Sequence, residues 1–242
     1  TKNIQLVITM NLSKRLKTIA SFIPEGSFFA DIGTDHAYLP CYVCLQDDKA
    51  RAIAGDVTEG PYQSAKETVQ QYDLEKEISV RLGNGLEVIQ GEPVEVIVIA
   101  GMGGQLITEI LTSGKDQLST VKTIIAQPNT SEYIVRKWLL ANHYTLTDEV
   151  ILEENGHIYE VLVATKGDDK INYEESLIEQ QLLFGPKLMA EKPAIFKQKW
   201  LQQLRKINNI IDSIEQADNK DQYKQKLIRL KQKINWIEEV IK

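Results

Sequence analysis

The stretch SFFADIGTDH, residues 27–36, decides how this chain folds. Its apolar part, residues 27–32, predicts a short buried strand, and Gly33 directly after it predicts a tight turn. A turn at the carboxyl end of the first strand is where doubly wound α/β proteins bind a ligand. The glycine-rich fingerprint of dinucleotide-binding proteins is absent, because Asp35 and Tyr38 stand where its other glycines would be.

The polarity of this loop favours S-adenosylmethionine (SAM) over a nicotinamide dinucleotide. A pyrophosphate needs clustered backbone N–H groups, whereas SAM has no phosphate and carries an ammonium, a carboxylate and a sulfonium. Asp31 and Asp35 would attract the ammonium group, and Gly33 would let the main chain approach the amino-acid end of the cofactor. Thr34 and His36 belong to the same loop, and we predict that they contact the cofactor with it.

Similar apolar runs recur and alternate with helical patterns. An amphipathic helix is expected from Leu12 to Ile23, ahead of the first strand. The later predicted strands are 52–57, 78–82, 94–100 and 123–126, and the predicted helices between them include 62–72, 105–111 and 132–142. This alternation predicts a parallel sheet covered by helices on both faces.

The pattern changes after residue 143. Two strand-like runs, 144–152 and 159–164, flank Asn155-Gly156, which is a hairpin signal. An antiparallel hairpin that closes an otherwise parallel sheet is typical of class I SAM-dependent methyltransferases. By this analogy between folds, the predicted class is α/β with a seven-stranded, Rossmann-like sheet.

Three further strand ends carry candidate cofactor residues. Asp56 lies about 20 residues beyond the first loop, where a carboxylate accepts hydrogen bonds from ribose hydroxyls. Asn84 would contact the edge of the adenine, beside Gly85. In the run Ala100-Gly101-Met102-Gly103 the small residues let the backbone approach a flat ligand, and Met102 would cover it. Because parallel strands end at one edge of a sheet, we predict a single pocket.

The candidate catalytic residues are Asn129, Tyr38 and His36. Asn129 ends the run Gln127-Pro128-Asn129 after the fifth strand and is the predicted neighbour of the acceptor group, while His36 and Tyr38 lie at the predicted mouth of the pocket. A proline at the end of a strand often only terminates it, and a lone histidine after a strand is more often a packing residue. Structural roles for Asn129 and His36 therefore stay open.

The last third of the chain is predicted to be a helical domain. A polar linker at 166–170 separates domains 10–166 and 171–242, and residues 1–9 are expected to be an upstream or non-native extension. A helix over 173–183 and a break at Gly185-Pro186 precede two apolar stripes with alternating steps of four and three residues. The stripes are Trp200, Leu204, Ile207, Ile211 and Ile214, and Tyr223, Leu227, Leu230, Ile234, Ile237 and Ile241. Such spacing predicts an antiparallel coiled-coil hairpin.

Charge is distributed unevenly along the chain. The net charge is −6, yet residues 187–242 carry 13 basic against 7 acidic side chains. An acidic body with a basic arm is consistent with RNA binding, although a solvated helix face explains the arm equally well. The predicted phosphate-binding residues are Lys14, Arg15, Lys17, Lys224, Lys226, Arg229, Lys231 and Lys233.

Compartment and metal content follow from the remaining features. No apolar run approaches the ~18 residues that a membrane span needs, and residues 1–9 lack the features of a signal peptide. Cys41 and Cys44 form a C-x-x-C in an apolar, helical setting without a second cysteine pair, which favours burial over a metal or redox role. We expect a cytoplasmic protein with no metal and no membrane association.

Four segments together resemble a known family. They are LSKRL (12–16), DIGTDHAYLP (31–40), AGMGG (100–104) and QPN (127–129). In these segments the chain is similar to the bacterial tRNA (adenine-22-N1)-methyltransferase family, TrmK, and the resemblance covers residues 10–242. It implies SAM as methyl donor and tRNA as substrate, methylated at N1 of adenine 22. No obligate protein partner is evident, and a monomer is expected.

Two alternatives remain at this point. In the first, a SAM-dependent methyltransferase acts on a small molecule or a protein, and the coiled coil serves for dimerisation. In the second, the chain is a non-catalytic RNA-binding module that senses SAM or a nucleotide. Methyl incorporation into unmodified tRNA distinguishes both from an RNA methyltransferase.

Overall fold

The computed structural model describes residues 10–167, 172–216 and 220–242. Its strands are β1 (Phe28–Ile32), β2 (Arg51–Asp56), β3 (Ile78–Leu82), β4 (Val96–Gly103), β5 (Thr123–Thr130), β6 (Tyr144–Glu154) and β7 (His157–Lys166). Its helices are α1 (Lys14–Ala20), α2 (Tyr38–Gln46), α3 (Glu59–Gln71), α4 (Gly104–Ser113), α5 (Glu132–Ala141), α6 (Ile178–Phe184), α7 (Pro186–Glu191), α8 (Ala194–Glu215) and α9 (Lys224–Val240). Short 3-10 turns occupy Gly85–Ile89, Lys115–Ser119 and Lys220–Tyr223.

The strands form a seven-stranded sheet in the order β3-β2-β1-β4-β5-β7-β6. Neighbours from β3 to β5 are parallel, whereas β7 runs antiparallel to both β5 and β6. Asn155 and Gly156 in the hairpin turn both have positive φ, of 52° and 77°, as a type I′ turn requires. The predicted seven-stranded α/β fold with a closing hairpin is therefore confirmed.

Side chains on the central strands alternate between two cores. Phe29 of β1 packs with Val96 and Val98 of β4 on one face, and Ile97 and Ile99 of β4 pack on the other. Helices cover both faces, so both sets of side chains are buried, which explains why these strands are nearly continuous apolar runs.

Several helix boundaries differ from the predicted ones; α3, for example, begins at Glu59 and not at residue 62. α1 spans only Lys14–Ala20 within the predicted 12–23, because Ser13 Oγ accepts the N–H of Leu16 at 3.2 Å and caps the helix. The helix expected over 173–183 begins at Ile178. The predicted break is present: Gly185 has φ +87°, and Pro186 starts α7.

The C-terminal helices share a third core. Phe184, Trp200, Ile207, Ile211 and Ile237 are buried together. The two apolar stripes predicted from the sequence lie on the less exposed faces of α8 and α9, which contact each other. Most of the predicted linker, and residues 217–219 between the helices, lie outside the described residues.

A buried ionic cluster joins this helical part to the sheet. Arg136 of α5 donates to Glu149 of β6 at 2.6 Å and to Glu160 of β7, and all three side chains are inaccessible to solvent or nearly so. Glu160 also accepts from Lys199 of α8 at 2.7 Å, and Lys199 binds Glu132 at the start of α5. The cluster therefore links α5, β6, β7 and α8.

Within the described ranges, no helix is both long enough and apolar enough to cross a membrane.

Candidate active site

A cavity of about 580 Å³ opens at the carboxyl ends of β1 to β4. Its size lies within the usual range for small-molecule sites. Its lining includes nine of the residues predicted to contact the cofactor: Asp31, Gly33, Asp35, Asp56, Asn84, Gly85, Ala100, Gly101 and Met102. Tyr38 and Asn129 line the same cavity, while Thr34, His36 and Gly103 do not.

Backbone hydrogen bonds define the turn after β1. The N–H groups of Gly33 and Thr34 both donate to the carbonyl of Gly55, at 2.8 and 3.0 Å. Gly33 has φ +75°, and a Cβ there would lie 2.0 Å from Cε of Met102. The left-handed backbone therefore favours glycine at this position, and the end of the Met102 side chain would have to move to admit a Cβ.

Asp31 is a buried carboxylate in the wall of this cavity. Thr34 Oγ1 donates to Asp31 Oδ2 at 2.7 Å, which accounts for the position of Thr34 behind Asp31. Burial raises the pKa of Asp31 to about 6, although the hydrogen bond from Thr34 and the charge of Arg15 act in the opposite direction. A cation bound in the cavity would favour the charged carboxylate and lower this pKa.

His36 contacts one neighbour in the loop after β1 and the first residue of α2. His36 Nε2 is 3.2 Å from Asp35 Oδ1, and the His36 ring stacks on Tyr38 with the ring centres 5.2 Å apart. His36 and Ala37 have positive φ, where the chain turns from the loop into α2. His36 thus contacts two lining residues without being one itself.

The ends of β2 and β3 supply a carboxylate and a carboxamide. Asp56 Oδ1 accepts the N–H of Thr58 at 2.7 Å, which orients the carboxylate. Asn84 precedes the 3-10 turn that starts at Gly85, and its N–H donates to Glu87 Oε2 at 3.3 Å. Both residues line the cavity, so the geometry brings together side chains 28 positions apart in the sequence.

A hydrogen-bond network holds Asn129 in one orientation. Its Nδ2 donates to the carbonyl of Gly101 at 2.8 Å, and its Oδ1 accepts from Gln127 Nε2 at 3.1 Å. Gln127 is fully buried, and its Oε1 accepts from the N–H of Gly101 and from Arg15. The Asn129 carboxamide therefore keeps one N–H and one lone pair for a ligand.

Arg15 and Tyr159 are the main additions to the predicted site. Arg15 was predicted to hold phosphate, but its guanidinium lines the cavity and lies 5.4 Å from the ring centre of Tyr159. Tyr159 and Gln127 were missed. Gln127 stands two residues before Asn129 in a motif already singled out, whereas no local signal distinguishes Tyr159 in β7.

The other predicted phosphate-binding residues lie on two surfaces. Lys14 and Lys17 are exposed on α1, and Lys224, Lys226, Arg229 and Lys231 are exposed on α9. Lys231 lies 3.5 Å from Glu215 of α8. Lys233 is half-buried and lines a second cavity, of about 1000 Å³, between the sheet domain and helices α8 and α9. This second cavity shares Asn129 and Tyr159 with the first.

Cys41 and Cys44 are buried within α2. Burial raises the pKa of each thiol to about 12, so neither is a reactive thiolate near neutral pH. In the part of the chain that the structure describes, no group of three or more His, Cys, Asp or Glu side chains is arranged to hold a metal ion.

Comparisons with known proteins agree on one family. The family model described as tRNA (adenine(22)-N(1))-methyltransferase, TrmK, matches residues 29–239. The tRNA (adenine(22)-N(1))-methyltransferase of Bacillus subtilis strain 168 is 48% identical over 232 residues, which are 96% of this chain and 98% of that protein.

Solved structures of such proteins have the same fold. The crystal structure of the B. subtilis m1A22 tRNA methyltransferase TrmK superposes with a TM-score of 0.91, at 48% identity, covering 96% of this chain and all of that one. Sp1610 of Streptococcus pneumoniae, a putative tRNA (m1A22) methyltransferase solved in complex with SAM, has a TM-score of 0.84 and 39% identity, with 96% and 100% coverage.

Proposed function

The chain belongs to the tRNA (adenine(22)-N(1))-methyltransferase family, and we propose that the cavity at the carboxyl ends of β1 to β4 is where it binds SAM and methylates N1 of adenine 22 in tRNA. The enzyme is a SAM-dependent tRNA methyltransferase. The identity over nearly the whole chain favours tRNA over a small molecule or a protein as acceptor, and favours an enzyme over a non-catalytic sensor.

One observation carries this assignment. Asp31, Asp56, Asn84 and Met102 come from four different strand ends and line one cavity. Side chains at unrelated turns would point to separate places. Their convergence provides acidic, amide and thioether groups around a space of a size suited to a nucleoside with an amino-acid tail.

The lining fits SAM at both ends of the molecule. Asp31 is assigned to the ammonium group, and the narrow turn at Gly33 leaves the main chain free to approach the amino-acid tail. Asp56 is assigned to the ribose hydroxyls and Asn84 to the adenine edge, with Met102 against the flat face. Asp35, Gly85, Ala100 and Gly101 complete the predicted contacts. Thr34 acts through Asp31 and His36 through Asp35 and Tyr38.

The acceptor chemistry needs orientation more than proton transfer. SAM supplies an electrophilic methyl group on a sulfonium, and neutral adenine N1 carries a lone pair in the plane of the ring. The protein must therefore hold N1 in line with the methyl group, and such orientation can supply as much as ~7–11 kcal/mol. Because Asn129 is fixed by Gly101 and Gln127, its remaining lone pair can accept a hydrogen bond from the exocyclic amine of the base.

Transfer leaves positive charge on the adenine. A carboxamide oxygen or a phenol that accepts from the exocyclic amine stabilises this charge, and Asn129 and Tyr38 are the residues we assign to that role. Tyr159 lines the cavity on the same side as Asn129, where its ring can stack on the incoming base. An adenine that is stacked or paired in tRNA must first be turned out, at a cost of a few kcal/mol.

Several finer features are part of the same proposal. The domains are 10–166 and 171–242, and α8 and α9 form an antiparallel coiled-coil hairpin, supported by the apolar stripes that face the third core. The exposed cations of α9, together with Lys14 and Lys17, contact tRNA phosphates. We propose a monomeric enzyme in the cytoplasm, where tRNA is available and where the two free cysteines stay reduced.

The decisive experiment combines labelled SAM with an unmodified tRNA transcript and maps the methylated nucleotide. We expect one methyl group per tRNA, at N1 of adenine 22. A matched transcript with guanine at position 22 should accept none, because its N1 carries a proton instead of a lone pair. Tight SAM binding without transfer to any transcript would instead support the non-catalytic alternative.

A further inference from the structure

The second cavity opens next to the catalytic one. Its walls come from the start of α5, from the β6–β7 turn, and from α8 and α9. Asn129 and Tyr159 form part of both cavities. A base that reaches Asn129 from this side must have its own ribose and the neighbouring phosphates in the second cavity, because the sugar-phosphate chain follows the base.

The charges around this cavity are mostly positive. Among the residues that the structure describes, Lys199, Lys206 and Lys233 line it, against a single carboxylate, that of Glu132. Lys199 is already paired with both Glu132 and the buried Glu160, so the Glu132 carboxylate is engaged by Lys199. Within residues 10–167, 172–216 and 220–242, neither Lys206 nor Lys233 forms a salt bridge.

Lys233 is the less favourably placed of these two cations. Its ammonium lies 5.8 Å from the centre of the Trp200 ring, over which Lys199 also lies, at 5.5 Å. Burial lowers the pKa of Lys233, an effect that Glu132 opposes and that Lys199 reinforces. An anion in the cavity would relieve both the lost hydration and the repulsion between the two ammonium groups.

The remaining cations of α9 do not reach this place. Lys224 is nine residues from Lys233, or about 13.5 Å along the helix. None of Lys224, Lys226, Arg229 and Lys231 belongs to the cavity lining. These four cations are suited to contacts with the body of the tRNA. Contacts with the RNA phosphates beside the target adenosine require other basic side chains.

On the basis of the function proposed above, we infer that the second cavity is a phosphate-binding subsite for the RNA strand next to the target adenosine, with Lys206 and Lys233 as its phosphate ligands. Lys199 is a positioning residue in this arrangement, since it ties α8 to Glu132 two residues beyond Thr130. The subsite holds the backbone of the extruded nucleotide while Asn129 and Tyr159 contact its base.

The test uses the full-length enzyme and unmodified tRNA transcript. The variants are Lys206→Gln and Lys233→Met, since methionine preserves most of the aliphatic contact with Trp200. Lys115→Gln is the control, because Lys115 is exposed in the 3-10 turn after α4, away from the carboxyl ends of the strands. Each enzyme is assayed for KM and kcat with tRNA, for SAM affinity, and for tRNA affinity over a range of salt concentrations.

We expect each cavity variant to raise KM for tRNA by about tenfold, as loss of a hydrogen bond to a charged group predicts. The slope of log affinity against log salt should fall by about one for each lysine removed. SAM affinity should stay as in the wild type, and Lys115→Gln should match the wild type throughout.

Two results would overturn this inference. One is a salt slope and KM for both cavity variants equal to those of the control. The other is a lowered Tm and kcat for Lys233→Met with an unchanged salt slope, which would make Lys233 a packing residue. Failure of the wild-type enzyme to methylate any tRNA would instead contradict the proposed function, so the two failures are distinguishable.

Discussion

Replacing Arg136 with methionine tests the buried ionic cluster that joins the sheet to the C-terminal helices. Arg136 donates to Glu149 and Glu160 and contacts the carbonyls of Leu182 and Leu183, all in the interior. Removing the guanidinium leaves two carboxylates in a poorly hydrated environment. Breaking a buried pair in this way costs about 3–5 kcal/mol.

The consequence is measurable by thermal unfolding followed by circular dichroism. For a chain of this size each kcal/mol lowers Tm by about 2–4 °C, so Arg136→Met should lower Tm by about 6–20 °C. The control is Lys122→Met, which removes an exposed ion pair with Glu95. Because water screens that pair, its loss should change Tm little.

The pH dependence of the same variant checks the cause. In the wild type, burial raises the pKa of Glu160, but Lys199 and Arg136 outweigh it, so the pKa lies below its ordinary value. Burial already raises the pKa of Glu149 in the wild type, and without Arg136 it should rise further above that of the unfolded chain, near ~4.3, whereas Glu160 keeps its bond to Lys199. The penalty is then complete at pH 8 and decreases as Glu149 takes up a proton toward pH 5.

The stability gap between Arg136→Met and the wild type should therefore narrow as the pH falls from 8 to 5. A gap that stays constant or widens would refute the view that stranded carboxylates cause the loss. So would a change in Tm no larger than that of Lys122→Met.

Three further predictions concern the cofactor cavity. Gly33→Ala should weaken SAM binding by about tenfold, because Met102 must move. The control is Gly91→Ala: Gly91 also has a positive φ, +78°, but open space around it, so both variants should lose ~1–2 kcal/mol of stability and only Gly33→Ala should lose SAM affinity. Equal SAM affinities of the two variants would contradict a clash with Met102. The pKa of Asp31 is about 6 in the absence of a ligand, so SAM affinity measured by calorimetry should fall as the pH drops from 8 to 5, and Asp31→Asn should flatten this profile. The contribution of Asp31 to the stability of the free enzyme should increase over the same pH range, because the folded protein binds the proton more tightly than the unfolded chain does. Asp56→Ala should weaken SAM binding while leaving tRNA affinity nearly intact, and unchanged SAM affinity would remove the ribose assignment.

The sequence alone determined the order of the elements and the edge of the sheet at which the site lies. Central strands must be apolar because both of their faces are covered, and the residues at their carboxyl ends must lie together in any parallel sheet. For this reason Asp31, Asp56, Asn84 and Asn129 were predicted at one pocket, and the structure brings all four to one cavity. The Asn155-Gly156 turn could also be predicted from the sequence, because few residues other than asparagine and glycine tolerate positive φ.

Contacts between distant segments were decided only by the tertiary structure. The sequence does not distinguish Arg15 from the surface cations near it, yet Arg15 donates a hydrogen bond to Gln127, 112 residues away. From the sequence, Tyr159 is an ordinary strand residue, yet it lines both cavities. Arg136 has the position of a polar residue on an amphipathic helix, yet it is fully buried. The physical reason is that periodicity and turn chemistry act over a few residues, whereas these positions depend on how the antiparallel β7 and the C-terminal helices pack against the sheet.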